Sequence, residues 1–487
     1  MEPGPSSVVV IGGGVAGLAA ATLLADSGVR VTLFEARDVV GGCCATTTLD
    51  GFTFHDGAVY LTMINILDHA FGRLNLDRAE VLPLRRIATS STTTLPDGTV
   101  VTVGGADGPK LSVRGRPSNA HQLQNELDRL LAKWRPMLTF VSEELALHPF
   151  SYWRLARGGV RHLPKFHGTV ASELKRFVSD PAVRGALSGI LLYNGLPPQQ
   201  LPATAILGLI AELSEGLYLP ESGMGRAPQA LSTALRDRGG HVFLESQVDE
   251  IVIRDGRVRG VRVAGQGDVE ADAVVSTVSG MQTFHTLIPP DRVPAPIIRK
   301  LRRVRLSHQA VSIQFGLANQ IDAPAHSVNV LPWMEDQQEI FLQDGHDVKY
   351  PVHLVPTYTL PELAPEGGAI IEMFYPVRAD IPLDYWTAER RNSLVEAAIA
   401  SLRRTYDLDV AVLRVRTPKE FSEEMRLYRG ALYGLSPTVR PGEQFSHTSS
   451  LPGLYLAGQT TFPGYGVAPA MMSGILAAEL VVREAAR

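Results

Sequence analysis

The feature that most constrains this chain is its first glycine turn, together with what flanks it. Val8-Val9-Val10-Ile11 is a short, β-branched, wholly apolar run, the pattern of a strand buried on both faces. Gly12-Gly13-Gly14-Val15-Ala16-Gly17 follows and fits G-x-G-x-x-G, and residues 18–25, rich in Ala and Leu, predict a helix. Arg30–Phe34 predicts a second strand, closed by Glu35. In such a unit Gly12 lets the chain turn tightly, Gly14 lets backbone approach a pyrophosphate, and Gly17 lets helix and strand pack closely. The N–H groups around Val15 and Ala16 sit at the positive end of the helix dipole and face that pyrophosphate. Glu35 stands 18 residues past Gly17, where a carboxylate accepts both ribose hydroxyls, and its charge disfavours a 2′-phosphate. The fold class that follows is α/β, with a Rossmann-like dinucleotide-binding domain.

Later pieces point to FAD as the dinucleotide. Ala36 follows the acid, and Arg37-Asp38-Val39-Val40-Gly41-Gly42-Cys43 carries a diglycine; in glutathione-reductase-like flavoproteins this segment runs along the FAD diphosphate. Residues 247–253 and 255–261 read as two strands joined by an Asp-Gly turn, with Val248 offering backbone to the adenine. Residues 271–277 read as the strand that returns the chain to the dinucleotide domain. Leu454-Tyr455-Leu456-Ala457-Gly458-Gln459 reads as a buried strand breaking into a glycine turn. Pro463-Gly464-Tyr465-Gly466-Val467 follows, and a helix is predicted to start near Pro469. Its positive end would point at the flavin pyrimidine edge, where negative charge gathers on reduction.

Taken together these residues resemble the phytoene desaturase-related flavoproteins, which include carotenoid desaturases, carotenoid isomerases and retinol saturases. The resemblance runs along nearly the whole chain. It rests on the fingerprint, on Pro220-Glu221-Ser222-Gly223-Met224-Gly225 before a helix, on Gly430-Ala431-Leu432-Tyr433-Gly434, on Arg440-Pro441, and on the Pro-Gly-Tyr-Gly-Val loop. It implies hydride transfer between flavin N5 and a C–H bond of an apolar or polyene-like substrate, with C–C desaturation as the leading case. Isomerisation or saturation of such a bond, amine oxidation, and a non-catalytic relative that binds lipid or prenyl groups are the alternatives. This chain departs from the family in having Gly41-Gly42-Cys43 where desaturases carry Gly-Gly-Arg, and Phe54-His55-Asp56-Gly57 where Phe-Asp-x-Gly is common. Gln459 stands where an acid is common. FAD binding survives these changes, while substrate and reaction direction stay open. No second G-x-G-x-x-G occurs, so dioxygen, a quinone or another diffusible acceptor is the expected oxidant.

A chain of 487 residues predicts two or three domains. The motifs assign 1–90, 221–284 and 431–487 to a discontinuous FAD-binding domain, and 91–220 with 285–430 to an inserted α+β substrate domain. Residues 187–219 are conspicuously apolar and predict a buried core helix pair, leaving open one wall of an apolar channel or a peripheral membrane contact. Residues 3–25 carry no charge, but the preceding Glu2, the interrupting glycines and the second strand favour a soluble fold over a signal peptide. A formal net charge of −4 gives no reason to expect nucleic-acid binding. Cys43 and Cys44 are neighbours and cannot staple distant segments, which fits a reducing cytoplasm. His55 and Tyr60 follow the diglycine loop and are the candidates for handling a proton, although each could equally be hydrogen-bonded scaffold. His162 and His167 lack a ligand spacing, so no metal is expected. Oligomeric state cannot be read from these features.

Overall fold

A computed structural model describes residues 6–104, 110–324, 326–328, 331–342, 352–440 and 442–485. Glu2, Pro3 and Pro441, named above, lie outside them. Five short strands form a parallel sheet in the spatial order His241–Phe243, Arg30–Phe34, Ser7–Ile11, Ala273–Ser276, Leu454–Leu456. Chain order reverses at Ser7–Ile11, with Arg30–Phe34 on one side and Ala273–Ser276 on the other. Ligands of open parallel sheets bind outside the carboxyl ends of strands at such a switch point. The first helix spans Val15–Asp26, three residues earlier than the Ala- and Leu-rich run predicts, because Val15 and Ala16 are already helical. A Cβ on Gly17 would lie 2.0 Å from the Gly12 carbonyl oxygen, so only glycine allows this helix to sit so close to its strand.

The Asp-Gly turn is present: Val248–Arg254 and Arg257–Val263 pair antiparallel around Asp255 and Gly256, which both have positive φ. Gly267–Glu270 adds a third strand. The C-terminal helix, Val467–Ala485, starts two residues before Pro469. Pro469 therefore falls in the first turn, where a missing N–H costs little.

A second, eight-stranded sheet runs in the order Val410–Arg416, Gln309–Leu317, Ala369–Val377, Val352–Leu354, His326–Val328, Ser91–Thr94, Val100–Val103, Leu111–Arg114. Its strands come only from 91–220 and 285–430, and those of the parallel sheet only from 1–90, 221–284 and 431–487. The apolar stretch 187–219 packs inside: Leu187, Ile190, Leu191, Ile206, Leu209 and Ile210 belong to one buried cluster around Trp134. That burial removes them from any membrane surface. The hairpin Thr46–Leu49/Phe52–His55 ties the two sheets together. Phe52 lies over Gly316 so closely that a Cβ there would come within 2.7 Å of its ring. Among the described residues no helix is long and apolar enough to cross a membrane.

Candidate functional site

The glycine turn leaves the first helix uncapped. Gly14 precedes it with no side-chain cap, and a Cβ on Gly14 would meet nothing within 4 Å, so the helix N-terminus opens onto free space. The diglycine loop borders the same space: Gly41 N donates to Gly13 O at 2.8 Å, and Gly41 bridges to Gly14. Gly12 has φ +98°, a region that favours glycine. Glu35 is buried beside the turn, its Oε2 accepting from Gly13 N at 2.7 Å and its Oε1 from Arg37 N at 2.9 Å. Each carboxylate oxygen keeps a lone pair for a ribose hydroxyl. Half-buried Ala36 follows it. The Glu35 backbone is clasped by Phe243 O and Ser246 N at 2.9 and 2.8 Å, which brings Val248 to the same end of the groove. Gly458 ends its strand at φ +98°, and Gly466 precedes the C-terminal helix at φ +101°, leaving Val467 and Ala468 to offer the first-turn N–H groups. An uncapped helix start, a ribose-binding acid, open glycine backbone and a second helix N-terminus form the donor set an FAD needs.

Behind this groove lies a polar network that the sequence does not advertise. Gln314 pairs in register with Arg414 on one neighbouring strand and with Glu372 on the other, so three polar side chains cross the eight-stranded sheet in a row. Arg414 Nη1 donates to Gln314 Oε1 at 3.2 Å, and Gln314 Nε2 donates to Glu372 Oε1 at 3.0 Å and to the His55 carbonyl at 2.7 Å. His55 N donates to Glu372 Oε1 at 2.8 Å, and its Nδ1 lies 3.0 Å from Glu372 Oε2, where a ring N–H donates to the carboxylate. His55 Nε2 is buried without a partner among the described residues and faces Gly223, whose Cβ would come within 3.3 Å. The His55 ring is thus held in the wall between the sheets.

Asp56 is the hub of this wall. Its carboxylate meets Arg37 at 2.7 Å, Arg414 at 2.8 Å and Arg416 at 3.2 Å, and accepts from Thr47 Oγ1 at 2.8 Å. Burial opposes its ionisation, but Arg416, Arg414 and Arg37 together outweigh it and hold the carboxyl well below the usual carboxylate range. Arg37 Nη1 also donates to Gly42 O at 3.4 Å, so the diglycine loop is anchored by the same cluster. Cys43 and Cys44 lie within this shell, and burial pushes their thiols up to about 11 and about 12, away from thiolate chemistry.

In front of the wall six side chains close a ring, and a seventh, Tyr60, packs against it. Tyr60 meets Tyr193 edge-on at 5.9 Å, Tyr193 meets Phe374 at 5.2 Å, and Phe374 meets His308 at 6.1 Å. His308 meets Tyr433 at 5.4 Å, and Tyr433 stacks on Tyr465 at 4.6 Å. Tyr465 Oη donates to Asn194 Oδ1 at 2.8 Å, next to Tyr193, which completes the circuit. Burial raises the Tyr60 and Tyr193 phenols well above their ordinary value, and Tyr465 to about 12. The tyrosine and phenylalanine rings are only half-buried, yet the phenols are cut off from bulk water, as happens when side chains line an internal space. Tyr465 belongs to the loop before the C-terminal helix, and Tyr433 precedes Gly434, whose Cβ would lie 3.6 Å from the Gln459 side chain. A cavity of about 190 Å³, lined by Leu435, Gln444, Gln459 and Tyr465 among others, adjoins this cage. Tyr60 is therefore in the cage, whereas His55 is behind it. Gln314, Glu372, Arg414 and Arg416 were missed by sequence reasoning. The available signal was a lone charged residue, Glu372, at the centre of the otherwise apolar strand AIIEMFYPV.

Among the described residues no group of three or more His, Cys, Asp or Glu side chains is placed to hold a metal. A family model described as flavin containing amine oxidoreductase matches residues 15–482. The chain is 26% identical to a 4,4'-diapolycopene oxygenase of a Methylomonas species, over 98% of each chain. It is 26% identical to a zeta-carotene-forming phytoene desaturase of Myxococcus xanthus, covering 97% of this chain and 93% of the relative. Its fold is shared with the solved structure of a putrescine oxidase bound to putrescine, at TM-score 0.64, 20% identity and 99% coverage of both chains.

Proposed function

The chain belongs to the flavin containing amine oxidoreductase family, and is an FAD-dependent oxidoreductase; from that premise we propose that it desaturates an apolar, polyene-like substrate held in the aromatic cage. The observation that carries this reading is the cage itself: a chain of contacting aromatic rings that ends at Tyr465, which also lines the cavity beside Gln459. Bound FAD supplies the hydride acceptor, its N5. The groove residues named above, from Gly12, Gly14 and Glu35 to Gly466 and Val467, hold and orient it. The Asp56 cluster fixes the diglycine loop against the substrate side, so that cofactor and cage keep one geometry. Tyr60 and Tyr193 exclude water and align the substrate, and we assign His55 a positioning role through Glu372.

Amine oxidation is the competing reading. A cationic amine is held either by a fixed negative charge or by the faces of aromatic rings. Glu372 acts on Tyr193, and the one carboxyl acting on both Tyr60 and Tyr193 is Glu212, which burial pushes up to about 8 against a hydrogen bond from Ser90. It is neutral at neutral pH and offers no such charge. Aromatic rings suit either ligand, and the relatives named for carotenoid substrates favour the polyene. Anaerobic bleaching of the flavin by a panel of polyenes and amines tests the choice: bleaching by amines alone would sink the desaturase reading.

A peripheral membrane contact also belongs to this proposal, on a different surface from the one the sequence pointed to. Tyr152 and Trp153 are both 68% exposed, with Val160 and Phe166 exposed nearby and Arg157 over the Trp153 ring. Phe150 joins Tyr152 to Phe462 at ring separations of 4.9 and 5.4 Å, linking this patch to the loop that carries Tyr465. Aromatic side chains flanked by exposed Arg157 and Arg161 suit the headgroup region of an anionic bilayer, where an apolar substrate would dissolve.

A further inference from the structure

His308 is out of place in an apolar cage. It is 5% exposed and sits just before strand Gln309–Leu317, its backbone oxygen accepting from Leu432 N at 3.1 Å. Neither ring nitrogen has a hydrogen-bond partner among the described residues. The ring is wedged between Phe374 and Tyr433 and backed by Gly195, where a Cβ would fall 1.7 Å from Nδ1. Nδ1 thus faces protein backbone, and Nε2 is the nitrogen on the side away from Gly195. A leucine of similar volume would fill the site without burying two polar atoms, so packing alone does not explain an imidazole here.

We infer that the cage takes an apolar substrate bearing one neutral oxygen function, a hydroxyl or a carbonyl, and that His308 reads that oxygen by a hydrogen bond from its buried ring. The inference rests on the polyene reading of the cage and narrows it from any long apolar molecule to an oxygenated one. Burial lowers the His308 imidazole to about 3, so at neutral pH the ring is uncharged and Nε2 presents a donor or an acceptor according to the tautomer. Such a ring satisfies a hydroxyl or a carbonyl, and gains nothing from a hydrocarbon. Glu212 extends the same chemistry along the wall near Tyr60 and Tyr193. It is 5% exposed, its Oε1 lacks a partner among the described residues, and as a neutral acid it is a donor rather than a charge. Two buried, uncharged hydrogen-bonding groups among aromatic rings describe a site for a neutral amphiphile.

The test uses the FAD-loaded enzyme in detergent micelles and a matched pair of probes, all-trans-retinol and the hydrocarbon lacking only its hydroxyl, with binding read from the flavin difference spectrum. Wild type is expected to bind the alcohol at least about ten-fold more tightly than the hydrocarbon, the equivalent of one good hydrogen bond. His308→Phe, which keeps an aromatic ring of somewhat larger size but no hydrogen-bonding atom, should bring that ratio to about one; His308→Asn, which keeps a donor and an acceptor, should retain part of the preference. Equal binding of both probes by wild type overturns the inference and leaves the polyene reading standing, as does a preference unchanged in His308→Phe. A normal flavin spectrum that neither probe perturbs overturns the polyene reading and the inference with it.

Discussion

Glu35 and Asp56 are buried carboxylates with opposite histories. Glu35 announces itself by its place after a glycine fingerprint, whereas Asp56 gains its importance only from Arg37, Arg414 and Arg416 converging on it. Glu35→Gln should weaken FAD binding roughly ten- to a hundred-fold, or about 1.5–3 kcal/mol. The glutamine would have to turn one N–H donor toward the Gly13 or Arg37 N–H that Glu35 now accepts from. Titration of apoprotein with FAD measures the loss, and an unchanged dissociation constant would mean the acid is not at the ribose. Asp56→Asn leaves three arginines facing one another with only Glu424, 3.1 Å from Arg416, as counter-charge, and should destabilise the fold by about 3–5 kcal/mol. The folded-state pKa of Asp56 is depressed, so its stabilisation is complete above the unfolded value of about 4 and is lost as pH falls toward the folded one. The gap in thermal midpoint between wild type and Asp56→Asn should therefore be widest near neutrality and narrow below about pH 4. A gap that is the same at both pH values would show that the arginines do not depend on that charge.

At the scale of elements, the two helix starts facing the groove differ in how their first turns are built. The first opens on bare Gly14, while the second is fixed by Gly466 at φ +101° and by Pro469 inside its first turn. Gly466→Val meets no hard clash, since its nearest contact would be Pro469 at an ordinary 3.4 Å, but it forces a β-branched residue into left-handed backbone. The loop should shift and draw the Val467 and Ala468 N–H groups off the flavin's N1–C2=O edge. That predicts weaker flavin binding or a lower reduction potential, the reduced state losing roughly 1–3 kcal/mol while the fold persists. A redox titration beside wild type decides it, and an unchanged potential with unchanged affinity would make this loop ordinary core. The polar row Arg414–Gln314–Glu372 belongs to the same scale, because it exists only through the register of three strands. Shifting any one strand by a single residue would turn its member of the row to the opposite face.

Across the whole molecule, the loop that carries Phe462 and Tyr465 touches the cage through Tyr433 and the exposed patch through Phe150. A bilayer-dissolved substrate would meet Tyr152 and Trp153 first. Replacing both by serine should reduce co-sedimentation with anionic vesicles several-fold, in line with about 1.5–3 kcal/mol for each large apolar side chain buried, while leaving flavin content unchanged. Equal sedimentation of variant and wild type would remove this patch from the membrane contact.

Local patterns alone make the cofactor legible. Glycine spacing, a strand-like run on either side and a terminal acid sit within about 30 residues, the size of one βαβ unit, so their geometry follows from short-range backbone rules. The Asp-Gly hairpin and the return strand are readable for the same reason. What only the tertiary structure decided is the substrate side. Tyr60, Asn194, His308, Phe374, Tyr433 and Tyr465 come from six distant segments and share no spacing, and Asp56 meets arginines from residue 37 and from residues 414 and 416. Packing of the two sheets brings them together, and strand register chooses which of them face inward. Neither leaves a periodic mark along the chain.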